Sequence, residues 1–294
     1  MFKELKKIAC FLSEKKQQLY ISVLRRKIKV ASLEETINKI KKDNCSISRF
    51  GDGEFYIMEG NSIKFQKYNE LLAKELREVF STREDNHLIC ISNAINPKNY
   101  KEYTEKHKSW LKNHFKNNAI FRVKYIYTNR KYYNALISRF WIPFKDKNRA
   151  KKVAESLKKV WQGRDVVIVE GEKTRMGVGN DLLDNTKSVK RILCPAENAF
   201  DKYDEILSAC LEMPENSLFL IALGPTATVL SYDLYKNGYQ ALDIGHIDLE
   251  YEWMKMGVNE QVNLSNKYVN ELNGGNIVGD TNNNLYNHQI VKTI

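Results

Sequence analysis

The second half of the chain alternates short apolar runs with helical patterns, and this alternation limits the fold more than any other feature. Residues 165–170 read Asp-Val-Val-Ile-Val-Glu, a nearly continuous β-branched run typical of a strand buried on both faces. Strands that alternate with helices indicate βαβ units and a parallel sheet. We therefore predict an α/β fold, a parallel sheet with helices on both faces. Further strands are predicted at 189–194, 218–223 and 239–244, and helices at 179–185, 200–213 and 226–237.

The first half carries a weaker pattern of the same kind. Ser32 and Glu35 stand three residues apart before an apolar repeat, which fits a capping box and predicts a helix over 33–42. The other predicted elements of this half are strands at 45–50, 88–92 and 120–128 and helices at 69–80 and 148–161.

Charge and composition suggest three parts: a basic N-terminal helix over 1–31, a main domain over 32–257, and a partly flexible tail over 258–294. The net charge is +11, and much of it lies in residues 1–30, where apolar residues recur at helical spacing. Such a segment either packs on the domain or contacts an anionic membrane surface peripherally. The five cysteines are scattered, which favours a reducing cytoplasm. Without a nucleic-acid motif, we expect no nucleic acid partner.

The exit of the predicted strand at 45–50 carries two acids between glycines. The sequence there includes Arg49, Gly51, Asp52, Gly53 and Glu54. Hard carboxylate oxygens on a loop with little side-chain bulk suit Mg²⁺ or Mn²⁺, and the arginine suits a phosphate. We therefore predict Asp52 and Glu54 as metal ligands, and the arginine and the two glycines as cofactor-binding residues. The alternative is an ordinary turn, because Asp and Gly are common turn residues.

A second strand exit, after residue 170, combines cations with glycines. It contains Lys173, Arg175, Gly177, Gly179 and Asn180. Backbone N–H groups at a glycine-rich helix start bind anions, and nearby cations reinforce them. We predict these five residues as cofactor-binding, with a plain glycine turn as the alternative.

A third exit, after residue 223, reads Gly-Pro-Thr-Ala-Thr. Gly224 permits a close approach to a ligand, and Thr226 and Thr228 offer hydroxyls near the N–H groups of a predicted helix start. We predict these three residues as cofactor-binding. The alternative is an ordinary helix cap.

The fourth exit crowds a histidine and several acids after the strand at 239–244. Asp243, His246, Asp248 and Glu250 lie within eight positions of one another. Such a set can complete a metal site or supply a general base. The carboxyl ends of parallel strands meet at one edge of a sheet, where ligands bind, so we expect all four exits to converge.

Taken in order, the motifs resemble those of the GT-D fold bacterial glycosyltransferases. The resemblance covers roughly residues 32–257. It rests on Arg49–Glu54, Arg175–Leu182, Pro195–Phe200, Leu223–Thr228 and Asp243–Asp248.

The resemblance implies a Rossmann-like α/β fold of the GT-D type and metal-dependent sugar transfer from a UDP-sugar to a glycan acceptor. The family's Asp-x-Glu motif matches Asp52 and Glu54, and the cofactor is then Mn²⁺ or Mg²⁺. We predict His246 as a third metal ligand and catalytic residue, and Asp248 or Glu250 as the base. Related enzymes build glycans on surface adhesins or polysaccharides, so we expect a cytoplasmic enzyme, at the inner face of the membrane if residues 1–30 bind lipid. A metal-dependent phosphohydrolase and a non-catalytic anion-binding module are the alternatives.

Overall fold

The computed structural model describes residues 16, 18–279 and 281–294, apart from the side chains of 116–121. Within these residues, nine strands form one sheet in which every neighbouring pair is parallel. The predicted α/β class with a parallel sheet is confirmed. The strands are β1 (Lys29–Val30), β2 (Ser46–Phe50), β3 (His87–Ile91), β4 (Lys131–Asn134), β5 (Asp165–Gly171), β6 (Ser188–Cys194), β7 (Leu218–Ala222), β8 (Gln240–Asp243) and β9 (Ile290–Thr293).

The helices connect these strands and begin largely at capping residues that the sequence marks. The Ser32 hydroxyl accepts the Glu35 N–H at 3.0 Å, and Asn69 caps the helix that follows it in the same way. A helical segment at 18–27 precedes the helices numbered here. These are α1 (Leu33–Asp43), α2 (Asp52–Met58), α3 (Glu70–Ser81), α4 (Glu105–Val123), α5 (Lys147–Trp161), α6 (Tyr203–Leu211), α7 (Pro225–Lys236), α8 (Ile247–Met256) and α9 (Asn284–Gln289).

The strand order places a crevice in the middle of the sheet. The order is β1-β4-β3-β2-β8-β7-β5-β6-β9. One half of the sheet extends from β2 through β3, β4 and β1, and the other half extends from β8 through β7, β5, β6 and β9. β2 and β8 touch through Ile47 and Leu242. In open parallel sheets, the carboxyl ends of strands at such a switch point form the ligand crevice.

Alternate side chains of β5 show that helices cover both faces of the sheet. Val166 and Ile168 belong to one hydrophobic cluster, whereas Val167 and Val169 belong to a second. All four are at most 2% exposed. The continuous apolar run at 165–170 thus reflects burial on both faces.

Two predicted elements are wrong. The strand expected at 120–128 is instead the end of α4 and a turn, and the strand of this region is β4. A short apolar run does not distinguish a strand from a buried helix segment. The helix expected at 179–185 is a series of turns. Gly177 and Gly179 have φ of +74° and +82°, a left-handed backbone that forms turns and does not occur inside a right-handed helix.

Both termini extend the domain beyond the predicted 32–257. β1 pairs with β4, and β9, from the segment predicted as a tail, pairs with β6 at the opposite edge. Arg25 donates from Nε to the Ile95 carbonyl at 2.8 Å, which ties the segment at 18–27 to the domain. Residues 1–15 and 17 of the predicted basic helix lie outside the described residues. Among those described, no helix combines the length and apolar character needed to cross a bilayer.

Candidate active site

A cavity of about 1350 Å³ opens where the carboxyl ends of the strands meet. Residues from the ends of β2, β5, β7 and β8 all line it, as the four-exit prediction expects. Of the predicted site residues, those that line it are Arg49, Gly51, Asp52, Gly53, Glu54, Gly224, His246, Asp248 and Glu250.

Asp52 is the more exposed of the two acids in the Asp-x-Glu motif, and it belongs to an ion cluster. It stands at the first position of α2, and 41% of its side chain is exposed. Arg122 pairs with its Oδ1, and His114 Nε2 lies 3.1 Å from its Oδ2. Burial acts to raise the pKa of Asp52, but the hydrogen bond from His114 and the Arg122 charge outweigh it, so the pKa lies below its usual value. Asp52 is therefore an ionised group in the cavity wall.

Glu54 caps the helix to which it belongs. Its Oε2 accepts the Gly51 N–H at 2.6 Å, so the third residue of α2 satisfies the backbone donor at the helix start. Burial raises the pKa of the Glu54 carboxyl to about 7, and the nearby Asp243 charge adds to the effect.

Arg49 is held by Asp243 across the boundary between β2 and β8. Its Nη2 lies 2.7 Å from Asp243 Oδ1, and its Nε donates to the Asp243 carbonyl at 2.7 Å. Thr228 donates from Oγ1 to the Arg49 carbonyl at 3.0 Å. This arginine thus joins the two halves of the sheet and has little capacity left for a phosphate.

Gly245 makes room for this ion pair. Its φ is +37°, and a Cβ on it would lie 2.2 Å from Arg49 Nη2. We expect Gly245→Ala to lower the free energy of unfolding by about 2 kcal/mol, because the substitution adds backbone strain and displaces the guanidinium.

Gly257→Ala is the matched control for that measurement. Gly257 also has a positive φ, +68°, but a Cβ there would meet nothing within 4 Å. We expect a loss of about 1 kcal/mol in denaturant unfolding, from strain alone. Equal losses in the two variants would contradict the steric role of Gly245.

His246 is part of a polar cluster that includes the predicted tail. Its Nε2 lies 3.1 Å from Asn270 Oδ1 and 3.4 Å from Glu271 Oε1. Glu271 in turn pairs with Arg139. Burial and the Arg139 charge lower the pKa of His246 to about 4, so the imidazole is neutral at pH 7. Since both neighbours of Nε2 are acceptors, the proton is assigned to Nε2, and Nδ1 carries the lone pair.

Glu250 is a buried acid with one oxygen that has no hydrogen-bond partner among the described residues. Its Oε2 accepts the N–H groups of Trp141 and Ile142 at 2.7 and 2.9 Å. Its Oε1 is buried and has no hydrogen-bond partner among the described residues. Burial raises the pKa of the Glu250 carboxyl to about 7, although the Arg139 charge and the two N–H groups favour its ionised form. A carboxyl with a pKa near the working pH is suited to proton transfer.

Asp248 is the other predicted base, and both of its carboxylate oxygens already have polar partners. Its Oδ1 accepts the Gly177 N–H and the Asn180 amide, each at 2.9 Å, and its Oδ2 lies 2.6 Å from Lys267 Nζ. The Lys267 side chain is completely buried and also pairs with Glu252. Asp248 therefore binds the 177–180 turn and the 264–272 segment to α8, which is a structural role.

The residues predicted to bind an anion at the second exit lie outside the cavity lining. Lys173, Arg175, Gly177, Gly179 and Asn180 do not line the cavity, and no helix begins there. Arg175 is buried and donates to the Asn266 carbonyl at 3.0 Å. These glycines serve a left-handed turn, and the Gly177 N–H is already bound to Asp248.

The third exit is formed in part. Gly224 lines the cavity and precedes α7, and Pro225 occupies the first helical position. A Cβ at Gly224 would lie 2.6 Å from the Phe65 ring, so only glycine fits. Thr226 and Thr228 are buried outside the cavity lining. The residue before the helix thus lines the cavity, whereas the two hydroxyls do not.

A preformed metal cage is absent from the described residues. No group of three or more His, Cys, Asp and Glu side chains there is placed to hold a metal ion. His246 is engaged with Asn270 and does not join Asp52 and Glu54 in such a group. The donor set fits only a site that a ligand completes, because Mg²⁺ commonly takes one or two carboxylates together with substrate phosphates.

Several residues of the site were missed by sequence reasoning. They are His114, Arg122, Arg139, Asn270 and Glu271. His114 carries no sequence signal beyond being a histidine. The last two lie in the segment predicted as a tail. Only the fold brings them to the strand ends.

Comparisons with known proteins agree with this architecture. The family model described as "Glycosyltransferase GT-D fold" matches residues 47–272. The chain is 39% identical over 269 residues to glycosyltransferase GlyD of Streptococcus pneumoniae serotype 4 (strain ATCC BAA-334 / TIGR4), covering 91% of this chain and 33% of that protein. It is 38% identical to the probable glycosyl transferase Gly of Streptococcus gordonii, and the match covers 92% of this chain and 39% of that protein. The chain thus spans between a third and two fifths of the length of these relatives.

Solved structures show the same fold. One, described as a highly conserved domain of unknown function with a distinct glycosyltransferase fold, superposes with a TM-score of 0.87 at 39% identity over 93% of this chain and 98% of its own. Another, described as a new glycosyltransferase from Streptococcus sanguinis, superposes with a TM-score of 0.84 at 37% identity, over 91% of this chain and 99% of its own. Since the family model covers most of the chain, this protein belongs to the GT-D fold glycosyltransferase family.

Proposed function

We propose that this chain is a metal-dependent glycosyltransferase that moves a hexose from a UDP-sugar to a hydroxyl of a glycan acceptor. The observation that carries the proposal is the convergence of Asp52, Glu54 and Glu250 on one large cavity at the switch point of the sheet. The family membership supports the same reaction class.

The diphosphate of the donor would bind between the start of α2 and the start of α7. Gly224 lines the cavity directly before α7, and the partial positive charge at the start of that helix favours an anion. Arg122, which pairs with Asp52, adds a cation to the same wall of the cavity.

Asp52 and Glu54 would hold the divalent cation together with diphosphate oxygens. The cation, Mn²⁺ or Mg²⁺, would neutralise charge that develops on the UDP leaving group. The two side chains differ in exposure and in protonation before the cation binds. Asp52 is ionised and half-exposed, whereas Glu54 is more buried and has a pKa of about 7. Release of the Glu54 proton would accompany its binding to a cation.

Glu250 is the better candidate for the base that receives the proton of the acceptor hydroxyl. Its unpartnered Oε1 and its pKa of about 7 suit that role, whereas both oxygens of Asp248 are engaged. His246, neutral and positioned by Glu271, would assist by binding substrate hydroxyls through Nδ1.

Acceptor and location follow from the family resemblance. We infer a glycan acceptor of the kind found on surface glycoproteins or polysaccharides and a cytoplasmic enzyme, with peripheral membrane contact through residues 1–30. The described part of that segment exposes 68% of Leu19 and 64% of Tyr20, which suits a lipid surface.

Product analysis tests the proposal against a metal-dependent phosphohydrolase. The purified protein is incubated with Mn²⁺, each of several UDP-hexoses and a mixture of saccharides. A transferase yields UDP and a new glycoside. A phosphohydrolase instead yields UMP or inorganic phosphate and no glycoside, and that result would overturn the proposal.

A further inference from the structure

Trp110 differs from the other three tryptophans of the chain in its exposure and its hydrogen bonding. Trp141, Trp161 and Trp253 are at most 4% exposed, whereas Trp110 is 50% exposed and lines the cavity. Each buried indole N–H donates to a backbone carbonyl. The Trp110 N–H has no such partner among the described residues. A large aromatic side chain with a free donor in a cavity wall is typical of a ligand contact.

The Trp110 ring packs against two histidines of its own helix, α4. It stacks on His114 with a centroid distance of 4.6 Å and an interplanar angle of 14°, and on His107 at 5.4 Å and 27°. The imidazoles are smaller than the indole, so half of the tryptophan surface remains open despite both contacts. A ring that is already ordered loses little conformational entropy when a ligand binds.

The same stack leads directly to the Asp-x-Glu motif. His114 packs against Trp110 and also lies 3.1 Å from Asp52 Oδ2. The imidazole of His114 therefore lies between Trp110 and Asp52, the carboxylate proposed to hold the cation with the donor diphosphate. A ligand on the indole would adjoin the donor.

The surroundings of Trp110 suit a saccharide. Lys106 and Glu260 form an exposed ion pair at 2.7 Å, and both line the cavity. A pyranose ring presents C–H groups that pack on an aromatic surface and hydroxyls that bond to charged side chains. The cavity, at about 1350 Å³, exceeds the roughly 300–1,000 Å³ of a usual small-molecule site, which leaves room for two substrates.

We propose that Trp110, with His107 and the Lys106–Glu260 pair, forms the subsite that binds a pyranose ring of the glycan acceptor. This inference rests on the transferase function proposed above and names the part of the cavity that the second substrate occupies.

Acrylamide quenching of tryptophan fluorescence tests the subsite directly. Because the other tryptophans are buried, collisional quenching reports mainly Trp110. The probes are UDP with Mn²⁺, and a panel of methyl hexosides and hexose disaccharides at millimolar concentration. We expect at least one saccharide to shield the fluorescence, and Trp110→Phe to abolish the effect. Shielding by UDP alone would assign Trp110 to the donor, and no shielding by any saccharide would equally overturn the proposal.

Kinetics provide a second readout. Trp110→Ala is expected to lower kcat/KM for the acceptor about tenfold, through its KM, while Trp110→Phe retains more activity. Affinity for UDP, measured by calorimetry, stays unchanged. Tyr127→Ala is the matched control, since Tyr127 is 48% exposed but lies outside the cavity lining. An unchanged acceptor KM in Trp110→Ala would refute the subsite, whereas failure of wild-type protein to bind UDP would refute the proposed function instead.

Discussion

Asp52→Asn combined with Glu54→Gln is expected to lower sugar transfer from a UDP-sugar by about 10³-fold or more. Both acids line the cavity at the start of α2, and together they provide the negative charge that a divalent cation needs there. The double substitution removes this charge and nearly preserves the shapes of the side chains. The leaving diphosphate would then lose its neutralising cation.

The fold should survive the double substitution. An Asn at position 52 still presents an oxygen to Arg122, and a Gln at 54 still accepts the Gly51 N–H that Glu54 caps. We therefore expect the thermal unfolding temperature to change little. Loss of folded protein, seen by circular dichroism, would contradict this account of the start of α2.

Glu59→Gln is the matched control for that experiment. Glu59 follows the same helix and pairs with Lys124, but it does not line the cavity. Turnover in this variant should stay within about twofold of wild type, since Glu59 contacts Lys124 and Tyr125 and neither residue lines the cavity. A double variant at 52 and 54 that is as active as Glu59→Gln would remove the basis of the metal proposal.

Glu250→Gln is expected to lower kcat by about 10²- to 10⁴-fold, the range of general base catalysis. The amide oxygen of Gln can still accept the Trp141 and Ile142 N–H groups that Glu250 Oε2 binds. The variant therefore keeps the local backbone but cannot take a proton. Initial rates at saturating UDP-sugar measure the loss.

The pH dependence of the wild-type protein follows from the raised pKa of Glu250. Its carboxyl, ordinarily near 4.5, titrates at about 7 in the fold, so the base is ionised only above that pH. We expect kcat to rise through pH 7 and then level off. Stability should move in the opposite direction, because the folded state holds the proton more tightly and this advantage is lost as pH rises from 4.5 through 7. Glu250→Gln should remove that part of the stability change.

Glu252→Gln separates catalysis from structural support. Glu252 follows Glu250 by two positions on α8 and pairs with the buried Lys267. Glu252 does not line the cavity. We expect this variant to lose stability but to keep kcat within about threefold of wild type, with the same rise through pH 7. If Glu250→Gln kept wild-type kcat, the base would lie elsewhere.

The sequence was informative where the signal is local. Apolar runs located most of the strands, Ser32 marked a helix start, and the acids of the Asp-x-Glu motif stand at a strand exit as expected. Each of these features depends on neighbours within a few residues. Parallel strands then brought the exits of β2, β7 and β8 to one cavity, because their carboxyl ends share an edge.

What the sequence could not provide are the partners of those acids. Arg122 reaches Asp52 across 70 positions, and Glu271 approaches His246 from a segment that looked like a tail. The glycines at 177 and 179 look the same in sequence whether they start a helix or form a left-handed turn. Only the structure, where Asp248 binds the Gly177 N–H, decides between these conformations.

Calorimetric titration of UDP into the purified protein, with and without Mn²⁺, tests the central claim most directly. The claim is that the cavity binds the donor diphosphate through a cation held at Asp52 and Glu54. We predict saturable binding that requires Mn²⁺ and disappears in the Asp52→Asn/Glu54→Gln variant, while Glu59→Gln binds as wild type. Metal-independent binding that survives the double variant would contradict the claim, as would a lack of UDP binding under all conditions.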